Sequence, residues 1–230
     1  MARGRTGRLC LVAIAAGLCV LAAAPAALAH TGPIQAPGSQ RGLALALDFS
    51  RYGAKHILLG YDHILFLLGL AVLCSGLRDV ARLAGLFAVA YSTTLIGGTA
   101  LGVAVPGDLI DAVIALSVAF VGAQIAFGGS HRWLGTDPRG PAFAFGLAHG
   151  LGLSSLLQDL RLPGDQLWPS VLGFNLGVEV GQVAVLLAFV GILSAIRAFP
   201  LPERQRIPAG CALLAAAAAF LTFLATGVSL

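Results

Sequence analysis

Lys55-His-Ile-Leu-Leu-Gly-Tyr-Asp-His-Ile-Leu-Phe-Leu-Leu-Gly-Leu-Ala-Val-Leu-Cys74 decides the fold class. A predominantly apolar run of roughly 20 residues is what an α-helix needs to cross the hydrocarbon core of a bilayer. Inside it stand His56, Asp62 and His63. Ionisable groups at membrane depth are costly, and each needs a reason to be there. On one straight helix His56 and His63 would share a face about 10 Å apart along the axis, with Asp62 turned about 100° from His63.

Outward from this stretch, further apolar runs cover 80–101, 108–127, 141–158, 168–196 and 207–228. Together they predict an all-α, polytopic transmembrane bundle of about six helices over 55–230. The chain is 58% hydrophobic and only 10% charged, against about 25% charged for a soluble domain. A soluble core of this size cannot hide that surplus, so the lipid bilayer is the expected solvent for much of the surface. The net charge of +4 does not indicate nucleic acid, because the arginines are scattered through short loops and form no stripe.

The first 29 residues have the layout of a cleaved signal peptide: Arg3, Arg5 and Arg8, then an apolar core from Leu9 to Leu21, then Ala27-Leu28-Ala29. Cleavage there leaves His30 at the new N-terminus, where an amine and an imidazole can chelate copper. Residues 30–54, with Pro33, Pro37 and Gly38, are expected to be an extracytoplasmic lead-in. Cys74 and Cys211 stand far apart in apolar surroundings, which predicts neither a disulfide nor a thiolate metal site.

With the mature N-terminus outside, the cytoplasmic loops carry Arg78 and Arg82, Arg132 and Arg139, and Arg197, Arg204 and Arg206. The outer loops carry Arg161, with Asp108, Asp159 and Asp165. This asymmetry follows the positive-inside rule. An even number of spans returns the C-terminus to the outside. The expected location is the cytoplasmic (inner) membrane of a bacterial cell.

The later spans also contain polar groups. His149 lies between glycines in 145–150, and Asn175, Glu179 and Gln182 form one stripe of the 168–196 span. Tyr91, Ser92 and two threonines occupy the second span, and Asp111 and Ser117 the third. In the topology above these groups converge between the outer surface and the midplane. Imidazole with carboxylate is a donor set for divalent first-row metals, nickel, cobalt or zinc. The candidate metal ligands are His56, Asp62, His63, His149 and Glu179. Tyr91, Ser92, Asp111, Ser117, Asn175 and Gln182 are candidates for the surrounding shell or pathway. Each has a structural alternative: core histidines that fix packing, interhelical amide contacts, or an anion near a helix N-terminus. His131, in a cytoplasmic loop, is assigned nothing.

The pattern His56-x-x-x-Gly60-x-Asp62-His63 resembles the first-helix signature of the HupE/UreJ family of membrane proteins. Phe87-Ala-Val-Ala-Tyr-Ser-Thr-Thr-Leu95, Asp111-Ala-Val-Ile-Ala-Leu-Ser117, Phe145-Gly-Leu-Ala-His-Gly150 and Phe174-Asn-Leu-Gly-Val-Glu-Val-Gly-Gln182 extend the resemblance along most of the mature chain. The likeness is to the broad branch rather than to the narrower hydrogenase- or urease-linked permeases. It implies a nickel or cobalt permease in which His56, Asp62 and His63 handle metal, with His149 and Glu179 in matching later motifs. Two positions depart from the pattern: Ile57 stands where a proline is usual, and Tyr91 where a histidine is usual. A phenol, with an ordinary pKa of about 10, is a poorer ligand than the imidazole it replaces.

Two other functions use the same residues. An intramembrane zinc hydrolase would hold zinc on Asp62, His63 and His149, with Glu179 as base; the chain has no His-Glu-x-x-His pair. An accessory membrane protein would serve metalloenzyme maturation proteins as partners. No nucleotide-binding loop is present, so transport would be driven by the membrane potential, an ion gradient or a partner.

Overall fold

The computed structural model describes residues 40–74, 76–127 and 137–195, together with 202, 209, 211 and 212. The expected signal peptide, the lead-in up to residue 39 with His30, the loop with His131, and nearly all of the expected 207–228 span lie outside the described residues.

Among the described residues the chain is all-helical: α1 (Gly42–Leu59), α2 (Tyr61–Leu73), α3 (Leu77–Leu101), α4 (Gly107–Phe127), α5 (Arg139–Asp159) and α6 (Gly164–Ala195). Four of these, α3 to α6, are long and apolar enough to cross a membrane; α1 and α2 would make a fifth span if the bent pair crosses once. α3 ends at Gly102, whose left-handed backbone (φ 65°) lets its N–H reach the carbonyls of Gly98 and Thr99. Pro106 and Pro138 stand just before α4 and α5, where a missing N–H costs nothing.

The outer face of α6 confirms the solvent. Leu172, Leu176, Val180, Val183 and Leu187 recur at helical spacing and are 53–65% exposed. In water this stripe would be polar. In lipid it is the expected lining of a membrane-facing helix.

The first span differs from the straight helix expected over 55–74. The helical path begins at Gly42, breaks at Gly60 and turns by 68°. Residues 42–54, assigned to the lead-in from sequence, are the opening turns of α1. Gly60 is extended (φ −78°, ψ 101°), yet both its backbone groups stay bonded: its N–H donates to the His56 carbonyl at 3.0 Å, and its own carbonyl accepts from Ile64 at 3.0 Å. Asp62 falls in the first turn of α2, where the positive end of the helix dipole favours an anion.

Two helix pairs form the rigid frame, α1 with α6 and α3 with α5. Without a hydrophobic force between helices in lipid, close backbone approach at small residues has to supply the packing. On α6, Gly173, Gly177 and Gly181 recur every fourth residue. A Cβ on Gly173 would collide with the Ala46 carbonyl, and one on Gly177 with the Ser50 carbonyl. On α5, Gly146 and Gly150 lie against the Phe87 and Tyr91 carbonyls of α3 in the same way. Thr94 Oγ1 ties that pair with a 2.8 Å bond to the Leu147 carbonyl. The frame therefore fixes His149, carried between Gly146 and Gly150, and holds α1 so that its last turn delivers His56.

Candidate metal centre

His56 comes from the last turn of α1, Asp62 and His63 from the first turn of α2, and His149 from the middle of α5. The break at Gly60 brings the first two imidazoles together. The His56 and His63 ring centroids are 4.7 Å apart, edge to face, less than half the separation of a straight helix. His63 and His149 follow at 5.7 Å, again edge to face. The three rings form a row.

Gly60 makes this row fit. A Cβ there would lie 2.7 Å from His63 Nδ1, 2.8 Å from the His56 carbonyl oxygen and 3.0 Å from Asp62 Oδ1. Such contacts are too close for a side chain, so the glycine is required by the packing at the site, while its backbone (φ −78°) is one that any residue adopts.

Hydrogen bonds set the tautomer of two of the rings. His149 Nδ1 is 2.7 Å from the Phe145 carbonyl oxygen. A carbonyl can only accept, so Nδ1 carries the proton and a neutral ring keeps its lone pair on Nε2. That Nε2 is buried and has no hydrogen-bond partner among the described residues. His63 Nδ1 donates to Asp62 Oδ1 at 3.0 Å, again leaving Nε2 as the lone-pair nitrogen. A carboxylate behind an imidazole is the usual arrangement that orients a metal-ligating histidine and raises its basicity. The contact puts Asp62 Oδ1 behind the His63 ring, the position that an orienting carboxylate would hold.

The three histidines, Asp62, Asp111 and Asp159 line one cavity of about 140 Å³. Val105 and Gly107 also line it, so one side of the cavity lies where α3 ends and α4 begins. Phe87 packs 5.0 Å from His149 and 5.0 Å from Phe66, and Tyr91 continues the aromatic layer at 5.8 Å from Phe87. Among the described residues no three His, Cys, Asp or Glu side chains converge tightly enough to hold a metal ion. The cavity offers oriented imidazole nitrogens near carboxylates, not a closed cage.

The other candidates fall elsewhere. Glu179 lines a separate groove of about 290 Å³ between the first half of α3 and the second half of α6. Ser92 Oγ donates to Asn175 Oδ1 at 3.0 Å and lies 3.4 Å from Glu179 Oε1. Tyr91 is buried, its hydroxyl without a hydrogen-bond partner among the described residues. Gln182 donates to the Ala84 carbonyl at 3.3 Å. Ser117 donates to the carbonyl of Ile114 within its own helix. Sequence reasoning passed over Asp159, counted only as a loop charge; its place at the C-terminal end of the fourth expected span was the available signal. Nothing in the sequence separates Phe66 and Phe87 from other lipid-run aromatics.

A family model described as "HupE / UreJ protein" matches residues 35–226. No curated protein and no solved structure matches the chain.

Proposed function

This chain belongs to the HupE/UreJ family, and on that premise we propose that it is a permease for a divalent transition metal, nickel or cobalt first, with the ion as cargo. The family is linked to nickel or cobalt uptake and to urease or hydrogenase maturation, and the chain is a multi-pass membrane protein. The observation that carries the proposal is the buried, unpartnered Nε2 of His149 in a cavity shared with the Asp62-oriented His63. An unmade hydrogen bond at a buried polar atom costs roughly 1–3 kcal/mol. A metal ion is the partner such a nitrogen suits.

In this account the bundle sits in the cytoplasmic membrane with the histidine cavity facing outward. An ion enters between α1, α4 and α5. Asp62, Asp111 and Asp159 attract it and lower the cost of shedding water. His56, His63 and His149 then replace part of its hydration shell. An open set of few donors suits transport, which needs binding strong enough to enter and weak enough to leave. Phe66 and Phe87 pack against the His149 ring, with Tyr91 beyond Phe87, and the break at Gly60 gives the α1–α2 span a joint on which to rearrange. Broken spans at ion sites are a recurrent transporter device. The groove at the other end of α3 is lined almost wholly by aliphatic side chains, among them the lipid-facing Val183 and Leu187. A hydrolase built on these histidines loses the base assigned to it, because Glu179 lines that groove and not the histidine cavity.

Uptake of radioactive nickel or cobalt into proteoliposomes tests the proposal. Saturable uptake by the wild type, lost in His63→Ala with folded protein retained, is the expected result. Equal uptake by both, or none by the wild type for any first-row divalent ion, would end the permease account.

A further inference from the structure

α1 has two unlike faces. Leu45, Phe49, Gly53 and Ile57 recur every fourth residue and are buried. The opposite face carries Arg51 and Lys55, both exposed, with Asp48 at its flank. The Arg51 side chain is 76% exposed and that of Asp48 34%, and Arg51 Nη1 donates to Asp48 Oδ1 at 3.0 Å. None of the three charges lines the histidine cavity.

α6 sets the level of this face. The two helices run parallel, because Gly173 meets Ala46, Gly177 meets Ser50 and Gly181 meets Ala54. Asp48, Arg51 and Lys55 therefore stand level with the part of α6 whose outer face is Leu172, Leu176, Val180 and Val183, all more than half exposed. That stripe lies in lipid. Charges at the same depth on a neighbouring helix are costly unless they are paired and covered. The apolar runs at 9–21 and 207–228 contain no charged residue, so neither complements the face.

A second copy of the chain does complement it. The face carries both signs, so it matches itself. In a two-fold pair with its axis along the membrane normal, Arg51 of each copy can bond Asp48 of the other while keeping its own. A guanidinium has five N–H donors and a carboxylate two oxygens, so each can serve two partners. Ala44, small and exposed, permits close approach of the two helices near their N-terminal ends. Lys55 is the surplus charge, and its long stem leans back toward the helix N-terminus and those carboxylates.

We propose that the Asp48–Arg51–Lys55 face of α1 is the interface of a homodimer within the membrane, closed by reciprocal Asp48–Arg51 ion pairs. The interface does not depend on the permease reading.

The test uses the full chain in liposomes at falling protein-to-lipid ratio. Copies are counted by single-molecule photobleaching, and contacts are read by cysteine cross-linking in a Cys211→Ser background. The wild type is expected to be dimeric. Ala44→Cys should form a disulfide-linked dimer, and Val183→Cys, on the lipid face of α6, should not. Asp48→Arg sets like charges against each other and should dimerise at least about tenfold more weakly. Exchange of the pair, Asp48→Arg with Arg51→Asp, should restore the dimer at wild-type helical content, and Lys55→Leu should keep it. A wild type that is monomeric at every ratio, or a dimer indifferent to Asp48→Arg, would overturn the interface. Monomers in which Arg51→Cys reacts with a membrane-impermeant thiol reagent would also overturn it, and would assign the face to water. Monomers that bind a polyleucine helix with one central aspartate would overturn it in favour of an acidic partner. Metal uptake is read on the same vesicles, so dimers without uptake keep the interface and count against the permease alone.

Discussion

His149 Nδ1 donates to the Phe145 carbonyl across 2.7 Å, and the opposite nitrogen of the same ring is buried with no hydrogen-bond partner among the described residues. The first contact fixes the tautomer and the second leaves a lone pair without an occupant. A ring kept only for packing would do better as phenylalanine. His149→Phe is accordingly expected to keep the fold, with thermal stability unchanged or slightly raised, while metal binding falls. Stability that collapses in this variant, with metal affinity unchanged in what remains folded, would make His149 a packing residue.

In the proposed permease Asp62 acts through His63. Replacing a carboxylate that orients a metal-bound imidazole typically weakens affinity by about 10–100-fold. Asp62→Asn should show a loss of that size in a nickel or cobalt titration, with the helical content of the wild type. Affinity equal to the wild type would show that the 3.0 Å contact between Asp62 and His63 does not serve binding.

Gly60 is expected to tolerate no side chain. In Gly60→Ala the new methyl meets His63 Nδ1, the His56 carbonyl and Asp62 Oδ1 at once. Overpacking of this kind costs about 1–3 kcal/mol, and the cheapest relief is to displace the His63 ring. Metal affinity should therefore drop while the α3–α5 frame, which Gly60 does not touch, survives. Native metal titration of this variant would contradict the arrangement at the break.

Gly177 supports the frame and not the site. Its Cβ position is filled by the backbone of Ser50, so Gly177→Val must push α1 away from α6. Thermal unfolding in detergent should fall by an amount corresponding to about 1–3 kcal/mol. An unshifted transition would mean that the two helices are not in backbone contact.

Much of the frame was legible in the sequence. Continuous apolar runs marked α3, α4, α5 and α6 to within a few residues, because lipid imposes length and hydropathy on a span whatever its partners are. The break at Gly60 was not legible. Apolar residues continue on both sides of it, and a glycine inside an apolar run is as compatible with a straight helix as with a turn. For the same reason α1 was begun at residue 55, although helix forms from Gly42: its early turns are held by backbone contact with Gly173 and Gly177, a long-range fact with no local mark. In the site, residue type and span position pointed to His56, His63 and His149. They gave depth along the membrane normal but no azimuth around the bundle. Glu179 was therefore grouped with the histidines by depth, while it lines the groove beside α3 and lies 3.4 Å from Ser92 Oγ.

The central claim is that the ion is bound through the histidine row, and X-ray absorption at the metal edge of nickel-loaded, detergent-purified protein tests it most directly. The account expects scattering from at least two imidazole rings in the wild type, reduced in His63→Ala and in His149→Phe and unchanged in Glu179→Gln. A shell of oxygen donors alone in the wild type, or imidazole scattering that survives both histidine replacements, would contradict it.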